Sequence, residues 1–195
     1  MIFDRFFKAK HLNSDPQVRL AAIATLSVDK PADKQVLHEL AFNDSQASVS
    51  LAALDKLNSF PLWLKSSETA DNVRVKKQAH ERVLTEVNNP NSTLLSQADF
   101  ASFVVESKNT VLLEQMLFSN QRLQSNNVLA LAVLLKVNKQ NITRLYFKDH
   151  ANQAQQQVIV TRAEDLNELS KMLKFDSNDV VISAIDAKIE QLKEL

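Results

Sequence analysis

Few side chains in this 195-residue chain are spaced for chemistry. The four histidines, His11, His38, His80 and His150, lie far apart, and none has a second histidine three or four positions away. Two imidazoles need that spacing to meet a metal from one helix face, so no metal site is expected. Cysteine is absent, which excludes disulfides, thiolate ligands and a thiol nucleophile. Glycine is absent too, where average usage would give roughly fourteen. A P-loop, a GxGxxG turn and a GxSxG elbow all need glycine, so none can be built here. The carboxylate pairs Glu164/Asp165 and Asp176/Asp179 have the right chemistry for general acid–base work. Each pair also precedes an apolar-periodic run, where acidic side chains favour the positive end of a helix dipole. Capping is the preferred reading, and the chain is read as a non-enzyme with no cofactor and no catalytic residue.

One charged cluster remains. Arg74, Lys76, Lys77, His80 and Arg82 fall within nine residues that hold only Glu81 as a counter-charge. With Val75, Ala79 and Val83 turned inward, Arg74, Lys77 and Gln78 share an outer helix face that could meet phosphates or an acidic partner. The competing reading is a solvated face braced by an i,i+4 Lys77–Glu81 pair. No aromatic side chains interleave here to stack on bases, which favours the solvated face. Arg74, Lys76, Lys77 and Arg82 are nevertheless the candidate partner-binding residues.

The elements that would carry these residues are helical. Apolar residues recur at spacings of three and four in Val18/Ala21/Ala22/Leu26, Val49/Ala52/Ala53/Leu57, Val75/Ala79/Val83 and Leu129/Ala132/Val133/Leu135/Val137. Val158–Thr161 looks strand-like but is short and isolated, and reads as the end of a helix. Asp15-Pro16 marks a helix start, with Asp as N-cap and Pro at the first helical position. Pro31, Pro61 and Pro90 are expected to open helices as well. Asn43, Asn58, Asn88, Asn120 and Asn138 are expected to close them, since Asn is the best substitute for glycine at a left-handed C-cap. About ten to twelve helices of 8 to 18 residues follow from this punctuation.

The other notable residues have bland readings as well. Trp63 could anchor a partner, but its apolar neighbours favour burial between helices. Tyr146 and Phe147 stand at core spacing. The stretch Asn152–Gln157 reads as a polar helix face. Phe3, Phe6 and Phe7 with Arg5, Lys8 and Lys10 form a short amphipathic segment, suited to a membrane surface or to covering the open end of a helical array.

Lys plus Arg equals Asp plus Glu, 23 each, so no general attraction to nucleic acid or anionic lipid is expected. No apolar run is long enough for a membrane span, and no secretory h-region opens the chain. A cytoplasmic protein is the expectation.

The segment Val18–Leu26 resembles Val49–Leu57, 31 residues later, and more loosely Val75–Val83, 26 residues after that. Val180–Ile189 is a fourth candidate copy. Asp15-Pro16-Gln17-Val18-Arg19 with Ala22 and Leu26 resembles the second-helix pattern of a HEAT repeat. The resemblance implies an all-α fold, a right-handed α-solenoid of antiparallel helix pairs, and an Arg19 side chain bonded to a neighbouring repeat. Ser50 and Lys76 stand where the second and third copies would carry that arginine. Residues 1–195 are thus expected to form one repeat domain. Residues 1–12 would cap it, 13–90 hold the clearer repeats, and 91–195 hold degenerate pairs with an irregular middle. Met1–Leu26 is also similar to the start of bacterial proteins whose HEAT-like N-terminal part precedes a coiled-coil domain of unknown function, which would make this chain one module of a longer protein. The function implied is a non-catalytic scaffold that binds protein. The alternative is nucleic-acid or ribonucleoprotein binding through the basic face at 74–82.

Overall fold

The structure, a computed structural model, describes residues 10–175 and 178–194. The Phe3/Phe6/Phe7 segment and Asp176 lie outside them. The described residues hold thirteen α-helices and no strand. The fold is all-α, and Val158–Thr161 is helical as expected. Contacts divide the chain into two compact units, Met1–Asp99 and Phe100–Leu195.

The first unit opens with a 3-10 turn, Lys10–Leu12, followed by α1 (Pro16–Thr25), α2 (Pro31–Asn43), α3 (Ala47–Leu57), α4 (Phe60–Thr69) and α5 (Val73–Asn88). Asp15 caps α1 by accepting from the Gln17 N–H at 2.8 Å, with Pro16 at the first helical position. Pro31 is the first residue of α2 and Pro61 the second of α4, in both cases without a side-chain cap from the residue before the helix. Pro90 does not open a helix. It sits second in a tight turn in which Ser92 N–H donates to the Asn89 carbonyl at 3.1 Å. That position wants the φ that proline locks, so a turn satisfies Pro90 as well as a helix would.

α3 packs against both α1 and α2, and α5 packs against both α3 and α4. The inward residues are Ala22, Leu37, Val49, Ala53, Trp63, Val75, Ala79 and Val83, all buried. Trp63 is therefore core, as its neighbours implied. Arg19 is buried with them and is fully engaged. Its Nε and Nη2 donate to the two Asp44 carboxylate oxygens at 2.7 and 2.8 Å, and its Nη1 donates to the carbonyls of Asn13 and Ser14. A planar guanidinium meeting a carboxylate in this paired way fixes geometry as well as charge.

The second unit is built from α6 (Gln97–Glu106), whose first residues close the first unit, then α7 (Thr110–Ser119), a four-residue α8 (Gln121–Gln124), α9 (Asn127–Val137), α10 (Gln140–Asp149), α11 (Gln153–Arg162), α12 (Leu166–Leu173) and α13 (Asp179–Lys193). α8 is shorter than any helix expected. α9 packs on α7 and α11, and α13 packs on α11 and α12; α10 lies against α7, α11 and α12. Tyr146 and Phe147 are buried.

Two of the five expected asparagine C-caps are left-handed, Asn58 (φ 45°) after α3 and Asn138 (φ 48°) after α9. Asn43 and Asn88 are instead the last helical residues, and the chain leaves in extended backbone from Asp44 and Asn89. Asn120 does close α7, its N–H donating to the Met116 carbonyl, but in extended backbone, and it also serves as N-cap of α8. The Gln-rich start of α11 is not a plain polar face either. Gln155 is buried, reciprocates the Asn152 cap, and donates to the Tyr146 hydroxyl at 3.0 Å.

Candidate interaction site

The basic residues lie on α5, which buries Val75, Ala79, Val83 and Val87 along one side. Arg74, Lys76, Lys77, His80 and Arg82 are all exposed. They do not form one face. At 3.6 residues per turn Arg74 and Lys77 stand about 60° apart on the outward side, whereas Lys76 and Arg82 stand about 120° apart, flanking the buried stripe from opposite edges. Lys77 approaches Glu81 at 3.9 Å, with both side chains largely exposed. Arg82 meets Glu86 at 3.1 Å, and Glu86 is itself buried and accepts from Ser92 Oγ.

The carboxylates act locally. Asp165 caps α12, and the N–H groups of Asn167 and Glu168 hold its carboxyl below the usual carboxylate range. Glu168 is held low mainly by its bond to Lys171, helped by Arg144, against the opposing effect of burial. Burial pushes Asp44 up, but the bonds from Arg19 and the Gln46 N–H outweigh it and leave the carboxyl below its ordinary value. Burial raises the Tyr146 phenol, opposed by the Gln155 bond. Asp179 opens α13 behind its cap, Asn178. His150 stacks on Tyr146 with ring centres 5.9 Å apart and meets Phe118 edge-on at 5.3 Å. No group of His, Asp or Glu among the described residues could hold a metal ion. No helix among them is long and apolar enough to cross a membrane.

The feature missed by sequence reasoning is a half-open cleft of about 420 Å³ within the second unit, between α9, α10, α11 and α12. Leu131, Leu134, Val158, Ile159 and Met172 give it an apolar floor. Lys139, Arg162, Glu164 and Asp165 rim it. Lys139 is tied to Glu114 at 2.7 Å, and Glu168 is saturated by Arg144 and Lys171. Arg162 has no carboxylate partner among the described residues. Leu131 and Leu135 line one lip, and with Val128 and Ala132 they recur along a single side of α9, with Val128 76% and Leu135 55% exposed. A concave site with an apolar floor and a few polar groups is suited to holding an apolar side chain and orienting it. Arg162 falls at the end of α11, read only as a polar face followed by a strand-like stretch, and Leu135 near the end of α9, read only for its periodicity.

No protein-family model matches the chain, and no curated protein or solved structure does.

Proposed function

We propose that the chain is a non-catalytic, protein-binding scaffold, and that the cleft of the second unit is its docking site. The carrying observation is the apolar floor opening to solvent beside the exposed α9 stripe. Exposed apolar surface of this kind marks interaction sites more often than chance exposure does. Within each unit, helices two apart in the chain pack together, as α1 with α3 and α9 with α11, which supports a HEAT-like stacking of helix pairs. The Arg19–Asp44 pair, which ties α1 to the turn between α2 and α3, supports it too.

The test places a photo-crosslinking phenylalanine at Leu135 and, separately, at Lys77 of the full chain, in extract divided into nuclease-treated and untreated halves. Crosslinks to protein from position 135 that survive nuclease are expected. Crosslinks from position 77 alone, lost on nuclease treatment, would replace this reading with contact to nucleic acid through the basic residues of α5.

A further inference from the structure

α9 is apolar nearly all round. Only Asn127 and Lys136 of its 11 residues are polar. Leu129, Ala130, Val133, Leu134 and Val137 are buried against the rest of the unit. The opposite side carries Val128, Leu131, Ala132 and Leu135, and all four are exposed or half-exposed. A helix with apolar residues on every side belongs inside a protein. A helix with a solvated side reads like α5, which presents Arg74, Lys77 and Glu81 to water. α9 therefore has the sequence of an interior helix, and its own chain covers one side of it.

Charge selects what covers the other side. The stripe itself carries none. The nearest cations stand at the C-terminal end of α9 and are engaged: Lys136 donates to the Val104 and Val105 carbonyls, and Lys139 pairs with Glu114 at 2.7 Å. The other end is uncharged, with Gln124, Ser125, Asn126 and Asn127 leading into the helix. A covering helix must be apolar over two turns and must set no cation beside Lys136 and Lys139. A second copy of α9 laid antiparallel meets both conditions. It brings Asn127 of one copy beside Lys136 of the other, and Gln124 beside Lys139. It also sets the positive end of each helix dipole against the negative end of the other. A parallel copy would place Lys136 beside Lys136 and oppose like ends. The stripe also matches itself when reversed. With a two-fold axis between Leu131 and Ala132, Val128 of each copy meets Leu135 of the other, and each Leu131 packs on the small Ala132. That is the self-complementarity a two-fold interface requires. With a formal net charge of zero, the two copies do not repel at long range.

We infer that α9 pairs antiparallel with α9 of a second copy of this chain, in a two-fold dimer whose seam is Val128, Leu131, Ala132 and Leu135. The inference rests on the scaffold reading and names the partner that the α9 lip takes. Burial of the four apolar side chains from each copy drives the pairing. Leu131 and Leu135 also line the cleft, so the seam runs along the lip of both clefts.

The test uses the full chain, whose lack of cysteine makes introduced thiols report position without background. Sedimentation velocity over a concentration series reads self-association of the wild type and of Leu135→Glu. A dimer is expected for the wild type. Leu135→Glu should weaken it about tenfold or more, since each copy then buries an unpaired charge. Val128 is largely exposed, so Val128→Glu decides the matter if Leu135→Glu fails to fold. Val128→Cys and Leu135→Cys proteins are then oxidised separately and as a mixture, and disulfide-linked dimers are read on a non-reducing gel. The mixture should link and each variant alone should not. Positions of the same number lie seven residues apart along an antiparallel seam, about 10 Å, beyond the roughly 7 Å that a disulfide spans between α-carbons. A monomer at every concentration, a dimer indifferent to both glutamate substitutions, or links formed as readily by one variant alone would overturn the inference. If the protein is monomeric while position 135 still crosslinks to other proteins, the second copy is wrong and the scaffold reading stands; if it is monomeric and position 135 crosslinks to nothing, both are wrong.

Discussion

Asn58 and Asn138 carry the consequence of a chain without glycine. Both hold positive φ, near 45° and 48°, at the ends of α3 and α9. A β-carbon in that region crowds the following carbonyl, and asparagine tolerates it better than other residues with a side chain. Asn138→Gly should therefore leave stability unchanged or raise it slightly. Asn138→Val should lower it by about 1–2 kcal/mol, read as a shift in urea midpoint at constant slope. Equal midpoints for the two variants would mean the turn does not depend on that backbone conformation. The titrating side chains make a second prediction. Asp44, Asp165 and Glu168 all have native pKa values below their ordinary ones. The native state then binds fewer protons than the unfolded chain once the pH drops into the carboxylate range. Their stabilisation is complete above the unfolded pKa of about 4 and is lost as the pH falls through the native values. Tyr146, raised by burial, works in the other direction: its contribution is complete below about pH 10 and is lost above it. The melting temperature should be flat between these windows and fall on both sides. Asp44→Asn should make the acid limb shallower, and an unchanged acid limb would show that the Arg19–Asp44 pair does not couple to folding.

At the scale of elements, the sequence made α1, α3 and α5 easy to find. Small and branched apolar residues at three- and four-residue spacing set their inward faces, and Asp15 and Asn72 hydrogen-bond their first turns. Ala22 sits on the buried side of α1, and α1 packs on α3. Ala22→Arg puts an unpaired charge into that seam, which should cost about 3–5 kcal/mol. A urea midpoint unchanged by the substitution would refute the packing of α1. Other elements were harder to read for definite reasons. Pro90 fits a turn as well as a helix start, so its dihedral preference alone could not choose. Gln155 looks polar on a helix surface and becomes buried only because Tyr146 brings a hydroxyl to it. The cleft was hidden because no motif announces it. It is lined by side chains of α9, α10, α11 and α12 that lie far apart in the chain and that only the fold brings together.

For the whole molecule, equal numbers of acidic and basic residues, 23 each, leave local arrangement to decide any binding to nucleic acid. α5 arranges its cations poorly for that purpose. Arg74 and Lys77 point outward together, Lys76 and Arg82 flank the buried stripe on opposite sides, and Arg82 is engaged by Glu86. A rigid helix with this distribution can offer two charges to one row of phosphates, not four. The dependence of log affinity on log salt falls by about 0.9 for each phosphate neutralised on duplex DNA. Binding of a short duplex should then be weak, with a slope no steeper than about −1.8, against about −3.6 if all four residues engaged. Replacing Lys76 and Arg82 with Gln should leave that slope in place, and replacing Arg74 and Lys77 should abolish it. A slope near the steeper value, reduced by every one of the four substitutions, would mean that the cluster acts as one phosphate-binding surface. The nucleic-acid reading would then displace the scaffold.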